Sequence, residues 1–104
     1  MSDFVKVADI EEIPPFGRKS LVFEGRAVLV FRIDDDYYAV EDVCTHDGEP
    51  LTDGALQGTL LECPRHGGRF DVRTGRAVRM PAISPVRVYE VCVAGNDVLM
   101  RDPA

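Results

Sequence analysis

Histidine is scarce in this chain: its 104 residues include only His46 and His66. A function that uses both leaves none for a second metal centre or a histidine general base. Tryptophan is absent. No run approaches the ~20 apolar residues of a membrane-spanning helix. The opening stretch, MSDFVKVADIEEIPP, is acidic where a secretory signal carries positive charge ahead of its apolar segment. The expectation is a monomeric, cytoplasmic protein with no membrane association.

Cations are also short, with 12 Lys and Arg against 18 Asp and Glu, a net charge of −6 and a pI near 4.8. Binding to a phosphate backbone depends on clustered Lys and Arg that displace counterions, so nucleic acid is not expected as a partner. The three cysteines are an odd number, which precludes a complete disulfide framework. In a reducing compartment thiols act as metal ligands or as buried apolar residues.

What the chain does contain is short runs rich in Val, Ile, Phe, Tyr and Leu, with no helical periodicity sustained over helical length. Strands are expected at Phe4–Val7, Ser20–Phe23, Ala27–Arg32, Tyr37–Val40, Thr59–Glu62, Arg69–Val72, Val86–Ala94 and Val98–Arg101. Glu24-Gly25, Asp34-Asp35-Asp36, Thr74-Gly75 and Gly95-Asn96 supply hairpin turn chemistry. The length and pattern fit one all-β domain over residues 1–104. Three stretches break the pattern: Cys44–Thr52, Cys63–Gly68 and the proline-bearing Met80–Pro85.

The first two of these hold Cys44-Thr-His46 and Cys63-Pro-Arg-His66, a C-x-H pair and a C-x2-H pair with sixteen residues between them. One buried cysteine or one satisfied histidine is unremarkable, whereas four such residues flanked by glycines on two loops point to a metal. One reading is a structural zinc in an interaction module, with two thiolates and two imidazoles around a single ion. Zinc pairs usually have two to four intervening residues, and Cys44 and His46 have one. The other reading is a [2Fe–2S] cluster, with Cys44 and Cys63 on one iron and His46 and His66 on the other. Two ferric ions, two sulfides and two thiolates sum to zero charge with neutral imidazoles. Four thiolates would make the site anionic before reduction, so the histidine-bearing site accepts an electron more easily.

Through Cys44-Thr-His46-Asp-Gly48 and Cys63-Pro64-Arg-His66-Gly67-Gly68-Arg-Phe70-Asp71, the chain resembles the Rieske-type ferredoxins over essentially its whole length. The resemblance implies an antiparallel β-sandwich with a small cluster-binding subdomain, approximately residues 42–80, formed by two loops. Met80–Pro85 resembles the family's covering loop. It implies one Rieske [2Fe–2S] cluster per chain, held by Cys44, His46, Cys63 and His66, with the histidine ring edges exposed. Gly48, Gly67 and Gly68 are expected to bring backbone amides close to the sulfides, with Pro64 stiffening the second loop.

In the respiratory branch of that family a disulfide joins the two loops. Glu49 and Arg65 stand at those positions here, so that bond cannot form. Cys92, within Val91-Cys92-Val93, is expected to be a buried apolar residue without a redox role. The same branch has a serine and a tyrosine whose hydroxyls favour the reduced state, and this chain has Gly68 and Phe70. The midpoint potential is therefore expected near the low end of the roughly −150 to +300 mV Rieske range. Voltammetry giving a value above about +100 mV would contradict this.

The motif also opens large oxygenases that carry a second, mononuclear iron site. Both histidines here are taken and little chain follows Ile83, so the expectation is a carrier with no catalytic residues. The resemblance implies one-electron transfer from an NAD(P)H-dependent flavoprotein reductase to a terminal oxygenase. The alternative is a small subunit or helper of another redox enzyme, such as an assimilatory nitrite reductase or an iron–sulfur metabolism system. The Asp34–Asp36 run is read as a solvated turn, and the overall acidity as a means of steering encounter with a basic partner.

Overall fold

A strand covered on one side alternates apolar and polar residues, whereas a strand covered on both sides is apolar throughout. Residues 26–33 are of the second kind. Val28 and Val30 enter one core, Leu29, Phe31 and Ile33 enter another, and all are at most 5% exposed. The computed structural model describes residues 3–103. Among these, the strands in chain order are β1 (Val5–Asp9), β2 (Arg18–Phe23), β3 (Arg26–Ile33), β4 (Asp36–Glu41), β5 (Leu56–Gln57), β6 (Leu60–Glu62), β7 (Arg69–Asp71), β8 (Ala77–Arg79), β9 (Val88–Ala94) and β10 (Asp97–Arg101). A single 3₁₀ turn, Ile10–Glu12, follows β1.

Six strands form one sheet in the order β1-β10-β9-β4-β3-β2, and β5 to β8 form a second, meandering sheet. All pairings are antiparallel. The larger sheet curls, because Ala8 of its first edge strand and Phe23 of the other share a core with Val28, Val30, Ala39, Tyr89, Val98 and Met100. Its other face is closed by the smaller sheet and its loops. There Leu29, Phe31, Ile33 and Val40 meet Leu51, Leu61, Phe70, Val72, Ala82 and Val86, together with Cys44 and Cys63. The two cysteines therefore lie in the seam between the layers.

The four expected hairpins all form, and their turns lie where the Gly, Asn and Asp residues indicated. Asp34 to Asp36 are exposed, as a solvated turn requires. Two strands were not foreseen. β5 has two residues and β8 has three, too few to register a period of two. The expected strand at 86–94 begins later, at Val88. No helix among the described residues is long and apolar enough to cross a membrane.

Cys92 departs from its expected burial and is half-buried. β4 and β9 pair only through Ala39–Tyr89 and Val40–Val88. Beyond that they part, leaving an open cleft of about 320 Å³ lined by Asp35 to Tyr38 and Val91 to Val93. Cys92 lies on this cleft.

Candidate metal centre

The two irregular loops share one hydrogen-bond frame. In the first, the Cys44 carbonyl accepts from Gly48 N–H at 2.7 Å, and Cys44 N–H donates to the Glu49 carbonyl at 2.7 Å. In the second, the Cys63 carbonyl accepts from Gly67 N–H at 3.1 Å, and Cys63 N–H donates to the Gly68 carbonyl at 2.7 Å. Each cysteine thus starts a turn closed four and five residues on, and Gly48 and Gly67 occupy equivalent places at φ +78° and +77°. That conformation is one L side chains rarely adopt. Gly68 serves a different purpose: a Cβ there would lie 3.0 Å from the Ala82 side chain and backbone. The missing side chain lets the third loop lie on the second.

This third loop, Met80–Pro85, is also tied to the first, because Thr45 Oγ1 donates to the Ser84 carbonyl at 2.7 Å. Two further residues hold the first loop at its base. Asp42 accepts from Leu51 N–H at 2.6 Å and from the Thr52 hydroxyl. Arg18, on β2, donates to the Thr52 and Gly54 carbonyls at 3.0 and 2.8 Å while stacking over Phe31. Neither Asp42 nor Arg18 was singled out from the sequence. The Arg18 partners lie 34 and 36 residues away, and no local pattern announces such a contact.

All four residues expected at the centre are brought together. Cys44 and Cys63 are each 1% exposed and neither is in a disulfide. His46 and His66 are exposed, with ring centroids 5.3 Å apart and planes at 86°. The thiols face the protein and the imidazoles face solvent. Burial, and then the neighbouring Cys63 thiol, push the Cys44 thiol up, while the backbone N–H groups of His46 and Asp47 oppose this.

The candidate ligand atoms fall into two sets of three among the described residues, each with its members within 4.8 Å of one another. One set is Cys44, Asp47 and Cys63, and the other is His46, Asp47 and His66. No set joins a thiol directly to an imidazole. Ligands of one tetrahedral zinc, at about 2.0–2.3 Å from the ion, would all lie within about 4 Å of each other. An inner sulfur pair and an outer nitrogen pair suit two adjacent irons, so the donor set fits a [2Fe–2S] cluster better than a single ion. Asp47 was not among the expected site residues. It accepts from Glu49 N–H at 3.0 Å and faces His66 Nδ1 at 3.2 Å and Arg65 Nε at 3.7 Å. The Glu49 N–H, first among its surroundings, holds its carboxyl below the usual aspartate range.

Comparison with known proteins agrees with this geometry. Residues 3–90 match the family model described as Rieske [2Fe-2S] domain. The biphenyl dioxygenase ferredoxin subunit of Pseudomonas sp. (strain KKS102) is 35% identical over 98 residues, 93% of this chain and 90% of that protein. The ferredoxin of carbazole 1,9a-dioxygenase from Nocardioides aromaticivorans IC177 superposes with a TM-score of 0.89 at 37% identity, covering 95% of this chain and 97% of that one. A 36% identical chain matches with a TM-score of 0.86 over 93% of this chain and 91% of its own length. It comes from a complex of reduced oxygenase and oxidized ferredoxin in carbazole 1,9a-dioxygenase. This chain belongs to the Rieske [2Fe–2S] domain family, in the company of the ferredoxin components of ring-hydroxylating dioxygenases.

Proposed function

We propose that the chain is a non-catalytic one-electron carrier whose cluster is held by Cys44 and Cys63 on the inner iron and by His46 and His66 on the outer iron. When bound, the cluster supplies reversible one-electron storage. The protein's own residues account for the rest. The buried thiols anchor the group to the core, and the backbone N–H groups of His46 and Asp47 point at the Cys44 sulfur. The exposed imidazoles form the outward edge through which an electron leaves. The partition of buried sulfur and exposed nitrogen is the observation that carries this reading.

We read residues 1–104 as one domain, with 42–80 as its cluster-binding part, monomeric and cytoplasmic. Relatives that are ferredoxin components of dioxygenase systems, and a similar chain seen with an oxygenase, support a terminal oxygenase as the acceptor. The donor is an NAD(P)H-dependent flavoprotein reductase.

Stopped-flow mixing tests this role. Cluster-loaded, reduced protein is expected to be reoxidised by a Rieske-type oxygenase at a rate that rises with oxygenase concentration. An oxidised sample is expected to be reduced by the flavoprotein and NAD(P)H. No electron transfer in either direction, from a protein with an intact cluster, would contradict the assignment.

A further inference from the structure

One carboxylate reaches both halves of the site. A side-chain oxygen of Asp47 lies within 4.8 Å of the Cys44 and Cys63 sulfurs, and Asp47 likewise completes the set with the ring nitrogens of His46 and His66. The side chain is only 18% exposed. Its Oδ1 is committed to Glu49 N–H, while Oδ2 points to His66 and Arg65. Arg65 is 59% exposed and stands 3.7 Å away. It offsets the carboxylate from the solvent side, where water already weakens its field.

We propose that Asp47 sets the reduction potential, as a fixed negative charge against the cluster that opposes the added electron and that Arg65 partly offsets. The proposal rests on the ligand assignment given above. The separation from the ligand atoms is shorter than the ~8 Å Debye length at physiological ionic strength, so salt screens the effect weakly. It acts in the same direction as the missing hydroxyls at Gly68 and Phe70, keeping the carrier easy to oxidise.

The rival role for Asp47 is local architecture, since an aspartate accepting from the N–H two residues on closes a turn by itself. Asp47→Asn separates the two, because asparagine keeps an acceptor oxygen and the shape while losing the charge. Midpoint potentials of the cluster-loaded proteins are measured by protein-film voltammetry. The reduced state of each is checked by electron paramagnetic resonance.

Asp47→Asn is expected to raise the midpoint and Arg65→Gln to lower it. The double variant is expected to fall between them, with Glu49→Gln moving it less than Asp47→Asn. An Asp47→Asn midpoint equal to or below that of the parent, with an unchanged resonance spectrum, would overturn the proposal. If Asp47→Asn fails to take up a cluster, Arg65→Gln decides: a midpoint that rises or stays put would overturn it. A parent protein without acid-labile sulfide would instead remove the ligand assignment, and this proposal with it.

Discussion

The two cluster loops follow one backbone plan and fill it with opposite side chains. Counting from each cysteine, the third position is His46 in the first loop and Arg65 in the second, while the fourth is Asp47 in the first and His66 in the second. Because the frames match, residue for residue, from Cys44 to Gly48 and from Cys63 to Gly67, this offset is a real difference of position. A histidine at the third place in one loop and the fourth in the other lets two equivalent turns bring their rings edge to face, 5.3 Å apart. The places left over receive opposite charges, Asp47 and Arg65, which face each other between the two loops at 3.7 Å. Backbone equivalence supplies the cradle, and side-chain inequivalence supplies the proposed ligands and their electrostatics.

The strongest way to break the equivalence is to remove an anchor. Cys44→Ser and Cys63→Ser should each abolish cluster binding, read as loss of iron and visible absorbance, since in the proposed ligand set each loop provides one of the two thiolates.

Next comes a place where the loops differ in packing. Gly68→Ala should push Ala82 and the covering loop off the second loop and destabilise the fold by about 1–3 kcal/mol. In a domain of this size that lowers the midpoint of thermal unfolding by roughly 4–8 °C per kcal/mol. The neighbouring glycines sharpen the comparison. An added Cβ meets nothing within 4 Å at Gly48 or Gly67, so Gly48→Ala and Gly67→Ala should each carry only the left-handed backbone penalty, about 1–2 kcal/mol. The equality of the two losses, in denaturant titrations, checks the shared frame. A much larger loss in one loop would break it.

The smallest effect concerns the hairpin behind the second loop. Arg73 is the main cause holding the Asp71 carboxyl below its ordinary value, with burial opposing. A carboxyl lowered in the folded state stabilises the fold above its unfolded pKa, and that contribution is lost as pH falls through the folded value. Arg73 is 55% exposed, so the contribution is about 0.2–1 kcal/mol. Asp71→Asn should lower stability at pH 7 by this amount and lose less on acidification than the parent. Chemical denaturation at neutral and acidic pH measures the difference.

The contrast between what the sequence disclosed and what it concealed follows from the range of the interactions. Gly, Asn and Asp in turns act on their own backbone, so the four hairpins were readable. The Cys and His spacings likewise identified the four ligand candidates. Arg18 binds carbonyls more than thirty residues away, and the Asp47–Arg65 pair joins two loops. Neither leaves a local pattern. Cys92 looked buried because its neighbours are valines, but its exposure depends on where β4 and β9 separate, which only tertiary structure decides. β8 was concealed because Ala77-Val78-Arg79 gains its strand character from pairing with β7, not from its own composition.

All of this depends on a two-iron centre at Cys44, His46, Cys63 and His66. Metal and acid-labile sulfide analysis of the purified protein, with electron paramagnetic resonance after dithionite reduction, tests it most directly. About two irons and about two sulfides per chain are expected, with a resonance that appears on reduction. One zinc without sulfide, and no signal, would contradict it.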